Sequence, residues 1–425
     1  MTIAVFLGSL LGAMALGIPI AFSLLLCGAA LMWHLDMFDA QILAQNVIEG
    51  ANSFPLLAVP FFMLAGEIMN AGGISRRIVA FALSLVGHVK GGLGYVAIVS
   101  ACLMAALSGS AVADAAALAA LLLPMMTAAG HDKARSAGLL ASASIIAPVI
   151  PPSIAFVIFG VAANVSISKL FLAGIVPGLM LGASLWITWW WLARRENVPV
   201  PPRKTRAEVA AAFKDATLAL VLPVIVVVGL KFGVFTPTEA AVVAAVYALL
   251  ISTLVYGELK VSHLYGLFLS AAQTTAVVMF LVAAAMVSSW LITVAQLPAM
   301  VVGLLEPLLD SPKLLMAAMM VLVMVVGTAM DMTPTILILT PVLMPIVKAA
   351  GIDPVYFGVL FIINNAIGLV TPPVGTVLNT VAGVGKVSMD EVTRGVWPFM
   401  LAQFALLFLM VLFPALVMVP ARWFY

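Results

Sequence analysis

Pro148-Val149-Ile150-Pro151-Pro152-Ser153 interrupts one long apolar run, and Gly368-Leu369-Val370-Thr371-Pro372-Pro373-Val374-Gly375-Thr376 interrupts another. A Pro-Pro pair withholds two backbone donors, and its rings collide with the preceding turn. A helix must therefore break there and release carbonyls and amides. Hydrocarbon offers no hydrogen bonds, so such groups are tolerated only where they line a buried cavity or bind something. Two matched breaks in the halves of one membrane chain point to a transport site at their level.

Composition supports the membrane setting. The chain has 425 residues, 64% of them hydrophobic and 8% charged. Residues 91–113, 115–130, 136–168, 170–193, 261–305, 354–385 and 395–421 contain no Asp, Glu, Lys or Arg. A helix needs about 20 apolar residues to cross the hydrocarbon, which makes this an all-α polytopic membrane protein. A transmembrane barrel would alternate with period two and be far more polar. The net charge of +2 gives no reason to expect a nucleic-acid partner. Cys27 and Cys102 lie inside apolar runs and read as small buried hydrophobes. Ala13-Met14-Ala15 resembles a signal-peptidase site, but no basic segment precedes it, so the first helix is expected to be retained.

In chain order, residues 2–16 and 18–35 read as helices hinged at Gly17-Ile18-Pro19. Residues 36–53 read as a loop. Residues 54–71 cross back and end at Gly72-Gly73, and 75–88 read as an amphipathic arm on the membrane surface. Residues 91–129 are too long for one crossing and break at Ser108-Gly109-Ser110, which predicts a re-entrant hairpin. Residues 136–165 hold the first Pro-Pro. Residues 170–193 end at the interfacial Trp189-Trp190-Trp191. A polar stretch over 196–215 joins the halves. Crossings follow at 217–230, 237–256 and 263–293, with Thr236 as an N-cap and Glu239 in the first turn. Residues 298–309 read as a second arm. Residues 313–347 form a second hairpin broken at Gly327-Thr328 and Thr333-Pro334, 354–385 hold the second Pro-Pro, and 395–419 are the last crossing.

A shift of 221 residues lays Pro151-Pro152 on Pro372-Pro373. The same shift aligns Pro124 with Pro345, Asp132 with Asp353, Gly174 with Gly395, and Pro177 with Pro398. An internal repeat accounts for this agreement. Placing 194–214 in the cytoplasm leaves only Lys169, Lys231, Lys313, Lys348 and Arg422 of the 19 Lys and Arg outside. Both termini are then periplasmic, each half has an odd number of crossings, and the repeats are inverted. The expected division is a scaffold with surface arm over 1–90, a core over 91–193, a cytoplasmic linker over 194–215, a second scaffold with arm over 216–312, and a second core over 313–425.

Each hairpin tip is expected to face one break. Ser108, Gly109 and Ser110 would meet Pro148, Pro151 and Ser153. Gly327 and Thr328 would meet Thr371, Pro373, Gly375 and Thr376. Hydroxyls and freed carbonyls are hard oxygen ligands suited to an alkali cation, while half-helix N-termini suit a carboxylate. The arrangement predicts two Na⁺ sites flanking one anionic substrate, with Ser153, Pro373, Thr376 and Asn379 on the substrate side. Small residues packing between helices would produce the same composition. Glu67, Asp114, Glu239 and Asp331 are carboxylates within or beside crossings, where charge is costly. Asp114 and Asp331, next to the tips, are candidates for ion or proton coupling. Glu239 reads as a helix cap, and Glu67 as an interfacial group. Asn364 and Asn365 are further polar groups on the second broken crossing. No transition-metal cluster, P-loop or hydrolase motif is present, and no cofactor is expected beyond Na⁺ as coupling ion.

Phe61-Phe62-Met63-Leu64-Ala65-Gly66-Glu67-Ile68-Met69, Leu107-Ser108-Gly109-Ser110-Ala111-Val112-Ala113-Asp114, Ile150-Pro151-Pro152-Ser153 and Phe235-Thr236-Pro237-Thr238-Glu239-Ala240 resemble the large membrane subunit of tripartite ATP-independent periplasmic (TRAP) transporters. The resemblance covers nearly the whole chain. Leu25 to Met32, Ser289 to Thr293 and Pro420 to Trp423 look closer still to its 2,3-diketo-L-gulonate branch. It implies residence in the bacterial inner membrane and two partners: a small four-helix membrane subunit and a periplasmic substrate-binding protein. It also implies a Na⁺-driven, elevator-type movement of the hairpin core. The competing expectations are a stand-alone Na⁺- or H⁺-coupled divalent-anion symporter, the permease subunit of an ATP-driven system, and a membrane enzyme.

Overall fold

A computed structural model describes residues 2–196, 198–296, 303 and 309–424. The first half runs α1 (Thr2–Ala15), α2 (Ile20–His34), α3 (Ala40–Ala51), a 3-10 turn at Phe54–Leu57 leading into α4 (Ala58–Ala71), α5 (Ile74–Val86), α6 (Gly92–Ser108), α7 (Ala111–Ala128), α8 (Lys133–Ser144), α9 (Ile154–Ala163) and α10 (Ile167–Ala193). The second half runs α11 (Arg206–Lys231), α12 (Pro237–Leu250) with a π-helical end at Ile251–Val255, α13 (Val261–Val294), α14 (Pro312–Gly327), α15 (Met332–Ala349), α16 (Pro354–Gly368), α17 (Thr376–Gly385), α18 (Met389–Leu412) and α19 (Ala415–Phe424). No strand occurs among the described residues. Eight helical segments among them are long and apolar enough to cross a membrane.

The repeat is physical as well as sequential. Asp132 caps α8 by accepting from the Arg135 amide, and its counterpart Asp353 caps α16 by accepting from Val355 and Tyr356. Pro124 and Pro345 lie inside α7 and α15, and Pro177 and Pro398 inside α10 and α18. The halves interlock: α7 packs on α17, α9 on α15, α8 on α18, and α10 on α16. At the α8–α18 crossing, a Cβ on Gly138 or Gly395 would collide with the facing backbone, so two glycines permit this approach. Phe159 of α9 lies 5.7 Å from Phe361 of α16, and Phe357 stacks on Phe361 at 5.3 Å. A second group forms where α4 packs on α12, while α13 packs on α2, α3 and α4.

Local chemistry sets the helix ends. Thr205–Glu208, Thr236–Glu239 and Ser388–Glu391 form reciprocal capping boxes for α11, α12 and α18. Glu239 is therefore a cap, as its spacing predicts. Arm α5 packs on α11 and is clamped by charge. Arg77 donates to Glu258 at 2.7 Å and to Asp215 at 3.3 Å, and lies 3.7 Å from the Tyr256 ring centre. Arg76 also pairs with Glu258.

Four local expectations need correction. Residues 36–53 are not simply a loop: Asp39 accepts from the amides of Gln41 and Ile42 and starts α3. Its acidic residues are capping and exposed groups of a helix whose Ile42, Leu43 and Val47 pack on the core. Thr333-Pro334 does not break the second hairpin, because Pro334 occupies the first turn of α15, where its missing N–H has no intrahelical partner to lose. The interruption lies at residues 328–331. The polar linker is helical from Arg206, since α11 continues outward beyond its apolar part. The last crossing begins at Met389 and stops at Leu412, and α19 follows after Pro414. The second arm expected over 298–309 falls almost wholly outside the described residues.

Candidate functional site

Four helix ends meet at the first junction. Gly109 terminates α6 with φ +60°, in the left-handed region that a side chain disfavours. A Cβ there would strike the Pro152 carbonyl oxygen and lie 3.4 Å from Ser153 Cα, so tip and break are in direct contact. Ser110 caps α7 by accepting from the Ala113 amide (3.4 Å). Ser153 caps α9 by accepting from the Phe156 amide (3.1 Å) and donates to the Pro148 carbonyl (2.5 Å). The Ser108 hydroxyl donates to Asp114 Oδ1 (2.6 Å) and accepts the Ser110 amide (3.2 Å). Asp114 is fully buried, and its Oδ2 has no hydrogen-bond partner among the described residues. Ser108, Gly109, Pro148, Pro151 and Ser153 are buried, so this junction is closed.

The second junction repeats the plan at the ends of α14, α15, α16 and α17. Gly327 abuts Gly368, where a Cβ on Gly368 would lie 3.1 Å from the Gly327 carbonyl oxygen. The contact thus falls before Thr371 rather than on it. Thr376 donates to Asp331 Oδ1 (3.1 Å), joining the start of α17 to the start of α15. Thr371 donates to the Ile367 carbonyl (2.8 Å), and Thr328 to the Val325 carbonyl (2.7 Å). Both hydroxyls are satisfied within their own segments as donors and retain acceptor capacity. Pro373 and Asn379 are exposed, and the Asn379 amide donates to the Val374 carbonyl (2.8 Å). This junction is open where the first is closed. Gly375, at φ +42°, precedes α17 and provides no side-chain cap, and Asp331 makes no capping bond to α15.

Each junction therefore presents two helix C-termini, rich in free carbonyls, and two N-termini, rich in free amides. The first favours a cation and the second an anion. The N-termini are capped by serines at the first junction and lack side-chain caps at the second. Both breaks contain a cis peptide, at Pro151–Pro152 and Pro372–Pro373.

Other groups gather here that the sequence motifs did not place. Asn364 donates to the Met320 carbonyl (2.6 Å) and Asn365 to the Phe361 carbonyl (2.8 Å). Both are buried, and both side-chain oxygens lack a partner among the described residues. An Asn pair in a charge-free run was the available signal. Glu67 and Asn70 of α4 line a cavity of about 70 Å³ with Ser108 and Ser110, closed on the far side by Ala271 and Thr274 of α13. Glu67 Oε1 accepts from Ser270 (3.3 Å), which makes it an interfacial group against the hairpin tip. No cluster of three His, Cys, Asp or Glu suited to a metal ion occurs among the described residues. Cys27 and Cys102 are free thiols.

Comparison with known proteins identifies relatives of the whole chain. Residues 7–416 match the family model of the tripartite ATP-independent periplasmic transporter, DctM component. The chain is 58% identical over 423 residues, covering 100% of both sequences, to a 2,3-diketo-L-gulonate TRAP transporter large permease protein of Escherichia coli (strain K12). It is 39% identical over 404 residues, 95% of each, to a sialic acid TRAP transporter large permease protein of Vibrio cholerae. In fold it resembles the crystal structure of the Alcanivorax borkumensis YdaH transporter, with a TM-score of 0.64, 14% identity and 91% of each chain covered.

Proposed function

Because the chain belongs to the large-permease family of TRAP transporters, we propose that it imports a sugar acid or related carboxylate in symport with Na⁺. It is a multi-pass membrane protein of a bacterial transporter, which implies the inner membrane, and it is not an enzyme. The observation that carries the proposal is the meeting of carbonyl-bearing and amide-bearing helix ends at both junctions.

In this reading Ser108, Gly109, Ser110 and the carbonyls of Pro148 and Pro151 hold one Na⁺, with Asp114 supplying negative charge behind them. Gly327, Thr328, Thr371 and Gly375 hold the other, backed by Asn364 and Asn365. The substrate carboxylate lies between them, against the N-terminus of α17 near Pro373, Thr376 and Asn379, with Ser153 across from it. Asp331, bonded to Thr376, couples the anion side to hairpin two. Helices α6–α10 and α14–α18 move as the core against a scaffold of α1–α4 and α11–α13. Both hairpins are re-entrant and both termini face the periplasm. A periplasmic binding protein delivers the substrate, and a small four-helix membrane subunit braces the scaffold.

The test is uptake of labelled 2,3-diketo-L-gulonate into proteoliposomes holding the permease and its small subunit, with binding protein outside. Uptake should require an inward Na⁺ gradient. Equal uptake without Na⁺ would remove the cation assignment, and uptake without binding protein would indicate a stand-alone symporter.

A further inference from the structure

A cavity of about 700 Å³ lies away from both junctions, between arm α5 and the start of α11. Its polar wall carries Arg203, Lys204 and Arg206, and its apolar wall carries Phe81, Leu85 and Phe213. Phe81 and Phe213 meet at 5.6 Å and form an aromatic floor between the two helices. Lys204 is engaged by Glu208 at 2.7 Å. Arg203 and Arg206 make no ion pair or hydrogen bond among the described residues, so two guanidinium groups remain available. His88 also lines the cavity, and its buried Nδ1 has no partner among them.

Position narrows the occupant. The charge-free part of α11 begins at Ala216, and Phe213 precedes it by less than one turn, about 4.5 Å along the axis. The aromatic floor is thus at the edge of the hydrocarbon, and Arg206, seven residues or about 10.5 Å further out along α11, lies on its aqueous side. A soluble anion would use the basic wall alone. Cationic and apolar walls sharing one cavity match a molecule with a phosphate at one end and acyl chains at the other. We infer that the α5–α11 cavity is a binding site for an anionic phospholipid, its phosphate on Arg203 and Arg206 and its chains against Phe81 and Phe213.

The experiment uses the purified full chain and measures equilibrium binding of dioctanoyl-phosphatidylglycerol, dioctanoyl-phosphatidylcholine and inorganic phosphate. Phosphatidylglycerol should bind saturably and the other two should not compete at equal concentration. Arg203→Gln with Arg206→Gln should weaken it on the order of 30-fold, from the usual contribution of two basic groups at a membrane surface. Ala210→Trp, which fills the cavity and leaves its charges in place, should block it. Arg194→Gln with Arg195→Gln should leave it unchanged, since those side chains stack on Trp190 and Trp191 elsewhere. Unchanged affinity in both cavity variants would overturn the inference. So would displacement by inorganic phosphate, which would mark a soluble-anion site. Loss of bound lipid whenever a membrane partner subunit co-purifies would show that protein occupies the cavity.

Discussion

Gly109→Ala separates tip geometry from general backbone strain. At φ +60° an alanine costs about 1–2 kcal/mol relative to glycine. Its Cβ would also strike the Pro152 carbonyl and lie 3.3 Å from Pro152 carbon, so tip or break must retreat. Overpacking against backbone adds about 1–3 kcal/mol. Gly351 has φ +65° with nothing within 4 Å of its would-be Cβ, so Gly351→Ala carries only the first cost. Denaturant unfolding of the two purified variants should therefore place Gly109→Ala lower by the contact contribution alone. In proteoliposomes, Gly351→Ala should keep Na⁺-activated uptake and Gly109→Ala should lose at least about tenfold, because positioning errors of a fraction of an ångström weaken preorganised ligand sets. If the two variants match in stability and in Na⁺ activation, the tip–break contact has no part in the cation site.

Asp114→Asn should insert and fold but, on the proposed cation reading, show weakened Na⁺ activation, since it replaces the carboxyl group behind Ser108 while preserving an acceptor for its hydroxyl; an unchanged Na⁺ titration would reduce Asp114 to a structural hydrogen-bond partner. Glu196 is held by His131 and Arg135 at 2.6 Å each; burial alone would raise its pKa, and the two contacts outweigh it and hold the carboxyl below its ordinary range. The sign follows from that lowering. Its stabilisation is complete above the unfolded carboxylate pKa and is lost as pH falls through the lower folded value, so melting of wild type against Glu196→Gln should converge in acid, whereas parallel curves would refute the linkage. Trp189→Phe deletes the buried Nε1 bond to the Gly91 carbonyl (2.8 Å) but leaves that oxygen the Gly94 amide (3.0 Å), for a loss of about 0.5–1.5 kcal/mol by denaturant titration; no measurable loss would show that the Nε1 bond adds nothing to the pairing of that carbonyl.

The two breaks, the interruption between α6 and α7 at Ser108-Gly109-Ser110 and the repeat were legible because their causes are local. Proline removes a donor wherever it stands, and glycine adopts the left-handed turn that ends α6 without the strain a side chain brings. The expectation at Thr333-Pro334 failed for the complementary reason: the effect of a proline depends on its distance from a helix start, and α15 starts at Met332, two residues before Pro334. Helix α3 was missed because acidic residues read as solvent-facing loop when the apolar partner, α13, is more than two hundred residues away.

The sequence by itself determined that this chain crosses a membrane, that it is a repeat, and that each half must break at a Pro-Pro. Apolar length, turn chemistry and missing donors act within a few residues. Only the tertiary structure decided what the broken ends face. Gly109 meets Pro152, Gly327 meets Gly368 rather than Thr371, and Thr376 reaches Asp331. It also revealed that the first junction is buried while the second is open, and that Asp114, Asn364 and Asn365 each keep an oxygen with no partner among the described residues. Those properties depend on how two halves interlock, and hydrogen-bond satisfaction is known only when every neighbouring helix is in place.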